Sequence, residues 1–100
     1  MSDSYEARKS RERRLYILQH LQLCEGYTSN ASILIDVLAG RGLRSSHSQV
    51  VTDLIWLRDN GFVSLTDHAD FIVVTITQAG VEIAQDVTRH PEIARPRPRL

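Results

Sequence analysis

The 100-residue chain predicts an α+β fold of three helices, a two-stranded β-hairpin and a C-terminal helix. Three observations carry that expectation. Apolar residues recur at three- and four-residue spacing in three successive segments. The period then drops to about two over residues 62–76. Glycine-bearing breaks separate the segments.

The first segment, Tyr5 to Cys24, places Leu15, Leu18 and Leu21, with Ile17, Leu21 and Cys24, on one helical face, below an Arg-rich N-terminal half. Gly26 supplies its stop, because glycine accepts a left-handed backbone. Ser29-Asn30 offers a side-chain cap for a second helix with the stripe Ile33, Leu34, Val37 and Leu38, which ends at Gly40-Arg41-Gly42. Ser45 or Ser46 opens a third helix, in which Val50, Leu54 and Leu57 face inward while Ser48, Gln49, Thr52 and Asp53 face outward; Asn60-Gly61 terminates it. Phe62 to Thr66 and Phe71 to Ile76 read as a hairpin around a four-residue turn, Asp67-His68-Ala69-Asp70. Thr77 caps a last helix. Pro91 and Arg95-Pro96-Arg97-Pro98-Arg99 then forbid regular structure. The expected organisation is a single domain over residues 1–88 and a flexible Arg/Pro-rich tail over 89–100.

Composition narrows the function classes. A chain this short supports one modest core without a roomy catalytic cleft. A lone Cys24 cannot form an internal disulfide, and the longest apolar run, Phe71 to Val74, is far below the roughly 20 residues of a membrane-spanning helix. A protein of a reducing cytoplasm is expected. His20 and Cys24 share a helix face, but two ligands do not complete a tetrahedral metal site. No Gly-rich phosphate loop or nucleophile-base pair is present, so neither an enzyme nor a cofactor is expected.

The balanced net charge conceals a segregation. Residues 1–14 carry five cations against three anions, residues 89–100 four against one, and the stretch between them three against eight. An anionic partner would be held largely by the two ends.

Two helices joined by a short glycine-containing turn, followed at once by a hairpin, have the order of a winged helix-turn-helix. The run Leu54-Ile55-Trp56-Leu57-Arg58-Asp59-Asn60-Gly61-Phe62-Val63 resembles the exit from the recognition helix into the wing of ArsR-like and MarR-like winged-helix proteins. Val74-Thr75-Ile76-Thr77-Gln78-Ala79-Gly80 resembles their return from the wing into the final helix. Gly26-Tyr27, Asn30-Ala31-Ser32, Val50, Asp53-Leu54, Trp56-Leu57, Gly61, Thr77, Gly80 and the Arg-Pro tail are similar to a group of small winged-helix proteins encoded by Mu-like phages and prophages.

The order of elements and these resemblances imply a transcriptional regulator that binds double-stranded DNA as a homodimer, pairing through its first and last helices. Ser45, Ser46, His47, Ser48, Gln49 and Thr52 would face the duplex, with Arg41 and Arg44 on phosphates beside a helix N-terminus. Arg8, Lys9, Arg11, Arg13, Arg14 and the Arg-Pro tail are further phosphate candidates. Asp53 on the reading helix and Asp67 and Asp70 at the wing tip oppose phosphate. They leave open a second class of function, an assembly module binding other phage proteins with little DNA affinity.

Overall fold

The computed structural model describes residues 4–97. The chain runs α1 (Tyr5–Leu23), a 3-10 turn (Glu25–Tyr27), β1 (Thr28–Asn30), α2 (Ala31–Gly40), α3 (His47–Asp59), β2 (Val63–His68), β3 (Phe71–Ile76) and α4 (Gln78–Ala84). Each helix starts where a hydroxyl or amide side chain takes up an otherwise unpaired N–H. Ser4, Asn30, Ser46 and Thr77 accept from Ala7, Ile33, Gln49 and Gly80 respectively. Gly26 and Gly61 adopt the left-handed φ, +71° and +81°, that the exits from α1 and α3 require.

The sheet has three antiparallel strands in the order β1-β3-β2 rather than the two of the expected hairpin. Thr28 pairs with Thr75 and Asn30 with Val73, and the Thr28 hydroxyl donates to the Val74 carbonyl at 3.0 Å. A three-residue polar strand leaves no alternation to read, and Asn30 both ends β1 and caps α2. His68 pairs directly with Phe71, so the hairpin turn is the two residues Ala69 and Asp70, not four. This is an α+β architecture of four helices and a three-stranded sheet, an order compatible with a winged helix.

The core lies where α1, α2 and α3 meet the inner face of the sheet. Ile17, Leu18, Leu21, Leu34, Leu38, Val50, Leu54, Leu57 and Val74 are fully enclosed, each contributing about 1.5–3 kcal/mol relative to an exposed side chain. α4 packs on α1.

The segment beyond α4 forms no helix or strand but is packed, in contrast to the flexible tail expected from Arg89. Ile93 is 4% exposed, the Ala94 N–H donates to the Arg11 carbonyl at 3.1 Å, and His90 sits edge-on to Trp56 and Phe62. Ile93 and Ala94 are two adjacent apolar residues among prolines and charged residues, too little for a periodic signal. Pro98 and Arg99 of the Arg-Pro tail lie outside the described residues. Among the described residues no helix is long and apolar enough to cross a membrane.

Candidate nucleic-acid interface

The first two turns of α3 are built by a reciprocal cap. The Ser46 hydroxyl accepts the Gln49 N–H at 3.2 Å, and Gln49 Oε1 accepts the Ser46 N–H at 2.9 Å. His47, Ser48 and Thr52 are exposed on these turns, and Arg44 is exposed just ahead of them. Arg44 has no side-chain partner among the described residues. Replacing Ser46 with alanine unpairs the Gln49 N–H and is expected to lower stability by about 1 kcal/mol, readable in thermal unfolding.

The other expected contact residues stand differently. Ser45 is 8% exposed and accepts from Arg13 Nε at 2.8 Å while its own hydroxyl donates to the Leu43 carbonyl. Gln49 spends one lone pair of its carbonyl on the cap and one Nε2 hydrogen on Glu6 at 3.0 Å, which ties its amide to the protein rather than leaving it free to turn toward a partner. Arg41 turns toward α1, stacking 3.8 Å from the Tyr16 ring centroid and donating to Gln19. There it borders a groove of about 500 Å³ that also includes Glu12, His20, Arg95 and Arg97. Burial, and next the Glu12 carboxylate, pushes the Tyr16 phenol above its ordinary pKa.

Asp53, expected to face outward, is instead 1% exposed. Its Oδ2 accepts from Arg13 Nη1 at 2.6 Å and its Oδ1 from Arg14 Nε at 2.9 Å. Arg13 is likewise 1% exposed, and Arg14 lies 4.1 Å over the Trp56 ring while donating to the Glu92 carbonyl. Two of the Arg-rich residues expected to grip phosphates therefore join α1, α3 and the C-terminal segment. The signal was in the spacing. Asp53 completes the i, i+3, i+4, i+7 stripe of Val50, Leu54 and Leu57, and Arg13 and Arg14 precede Ile17 and Leu18 by one turn. Charges of opposite sign on two core-facing stripes predict a buried pair.

Trp56 packs against Arg14, Phe62 and His90, beside α1, while Ile55 remains 40% exposed. Among the other terminal cations, Lys9 lies over the Tyr5 ring, Arg89 pairs with Asp86 and Arg97 with Glu12. At the far side of the α3 N-terminus, a recess shared by Ser32, His47 and the hairpin tip includes Asp67 and Asp70, and His68 stacks on Phe71 at 5.0 Å. Among the described residues no group of three or more His, Cys, Asp or Glu is placed to hold a metal ion.

Fold and site together define a small α+β domain whose exposed feature is the capped, hydroxyl-rich start of one helix. Across 88 residues it is 36% identical to the uncharacterized protein gp26 of Escherichia phage Mu, covering 88% of this chain and 91% of that protein. The chain belongs to the family of that Mu phage protein. No family model matches it.

Proposed function

We propose that the protein is a winged-helix DNA-binding protein, a phage-encoded transcriptional regulator that occupies duplex DNA as a homodimer with the start of α3 in the major groove. The inward pairing of Asp53 carries this reading. With that carboxylate neutralised by Arg13 and Arg14, the outer face of the first two turns of α3 offers His47, Ser48 and Thr52 behind Arg44, with no exposed acid of its own. Hydroxyls and an imidazole suit phosphates and base edges, and the helix N-terminus adds positive potential. A two-fold dimer would present two such helices to half-sites about 34 Å apart. Regulation would follow from occupancy, with no bond made or broken.

A second reading, an assembly module for other phage proteins, is favoured by the exposed carboxylates Asp67 and Asp70 at the wing tip, which repel a duplex and suit a basic protein surface. Titrating a random-sequence duplex pool at several salt concentrations separates the two. DNA binding through several phosphates gives a steep loss of affinity with salt, whereas absent or salt-independent binding supports the assembly module. Arg44→Ala is expected to weaken all duplexes several-fold and reduce the salt slope by about 1, while His47→Ala changes sequence preference in a selection experiment. Identical behaviour of the two variants would remove the groove placement.

A further inference from the structure

Among the described residues, one buried side-chain polar atom lacks a hydrogen-bond partner, Arg13 Nη2. Its guanidinium is otherwise committed, Nε to Ser45 and Nη1 to Asp53 and to Ser10 Oγ at 3.2 Å. Arg13 lines a recess of about 250 Å³ between the N-terminal half of α1 and the first turns of α3, together with Glu6, Ser10, Ser48, Gln49, Thr52 and Asp53, whose carboxylate is already taken up by Arg13 and Arg14. Glu6 Oε1 stands 3.5 Å from Nη2, too far for a good hydrogen bond, and accepts from Gln49 Nε2 at 3.0 Å.

We propose that this recess is a phosphate seat, that the Glu6 carboxylate covers it in the free protein, and that a backbone phosphate of duplex DNA displaces Glu6; the duplex as the source of that phosphate rests on the DNA-binding reading above. The Arg13 guanidinium accepts an anion there in exchange for Glu6. Arg13 and Arg14 share one buried carboxylate, Asp53, and their second positive charge is met only by two exposed carboxylates. Glu92 approaches Arg14, 3.9 Å away, while Glu6 faces Arg13. The start of α3 adds the positive end of its dipole, and the Ser48 and Thr52 hydroxyls stand one turn apart on the wall. A phosphate group matches the carboxylate in charge sign and brings more oxygens, so it reaches Nη2 at charge-assisted distance, about 2.7–2.9 Å, as well as the hydroxyls. The Glu6 side chain is 55% exposed, and an ion pair so open to water is weak and readily exchanged. Its departure also releases Gln49 Nε2 at the face offered to the bases.

Two titrations test this on the full chain. In the first, inorganic phosphate is followed by the amide resonances of Ser48, Gln49 and Thr52 and the Arg13 Nε–H. Glu6→Gln is expected to bind phosphate about five- to tenfold more tightly than the native chain, and Thr52→Val in the Glu6→Gln background to reverse part of that gain. Equal titration of the native and Glu6→Gln chains overturns the seat. In the second, duplex affinity is measured at fixed salt. Glu6→Gln is expected to gain about tenfold. Glu25→Gln, which removes a charge just past the far end of α1, a helix of 19 residues and so about 28 Å long, is expected to gain less than twofold. Equal gains at the two positions reduce the effect to net charge and overturn the seat while leaving DNA binding standing. Phosphate binding that depends on Glu6, with no duplex bound by any variant, upholds the seat for free phosphate and removes the DNA reading.

Discussion

Asp53→Ala is expected to destabilise the protein by about 3–5 kcal/mol, because it strips the partner from a guanidinium that is 1% exposed and from a second that is held over Trp56. A domain of this size has about 5–15 kcal/mol in all, so the loss should lower the unfolding midpoint by about 15 °C or more. The size of the effect comes from the stranded charge, since a well-made buried pair has a net worth that is small once desolvation is counted. The double variant Arg13→Met, Asp53→Leu removes both charges of the fully buried pair and is therefore expected to recover part of the loss. Denaturant unfolding of Arg13→Met, Asp53→Leu and the double variant forms the cycle that measures the coupling. A cost below about 1 kcal/mol for Asp53→Ala would show that the pair does not hold α1 to α3.

The same cluster illustrates what sequence periodicity conveys and where it stops. The helical stripes were legible because Leu18, Leu34, Leu54 and their neighbours repeat the 3.6-residue period, and the starts at Asn30, Ser46 and Thr77 because a short polar side chain just ahead of such a stripe satisfies the first free N–H groups. Assigning every charge to solvent hid Arg13, Arg14 and Asp53, whose positions on the stripes argued for burial while their chemistry argued against it. The pairing of β1 with β3 was invisible for another reason. It joins residues more than forty apart, with Thr28 opposite Thr75, and a three-residue polar strand carries no local period. The packing of Ile93 likewise depends on tertiary contacts with no local signature.

For the candidate site, the sequence marked the start of α3 at Ser46 but mixed two populations of residues. Arg44, His47, Ser48 and Thr52 are exposed, whereas Ser45 is buried against Arg13, Arg41 is stacked on Tyr16, and Ser46 and Gln49 are bonded to each other. The distinction matters energetically. Altering the exposed group changes contacts with a partner at little cost in stability, whereas altering the bonded group disturbs the helix start itself, and any loss of binding then mixes fold with contact.

Gly80→Ala is expected to destabilise the protein by about 1–2 kcal/mol even though alanine is the better helix former. Gly80 lies inside α4, where Thr77 ties the helix start to the end of α3: its N–H donates to the Phe62 carbonyl at 3.0 Å and its hydroxyl to the Gly61 carbonyl at 2.7 Å. A Cβ at Gly80 would fall 2.3 Å from that Phe62 oxygen and 2.7 Å from Ile76 Cγ1. The first neighbour is backbone already fixed by the Thr77 bond, so α4 must move away from the end of α3, where overpacking costs about 1–3 kcal/mol or more and outweighs the ~1 kcal/mol gained in helix propensity. Gly40 is the internal comparison, since it also lies in a helix but a Cβ there meets nothing within 4 Å. Gly40→Ala is accordingly expected to stabilise by about 0.5–1 kcal/mol. Opposite signs for the two substitutions in thermal unfolding would establish that the glycine of the Thr77-Gln78-Ala79-Gly80 motif is required for close approach to the chain leaving α3. Stabilisation at both positions would mean that α4 sits farther from Phe62 than the structure has it.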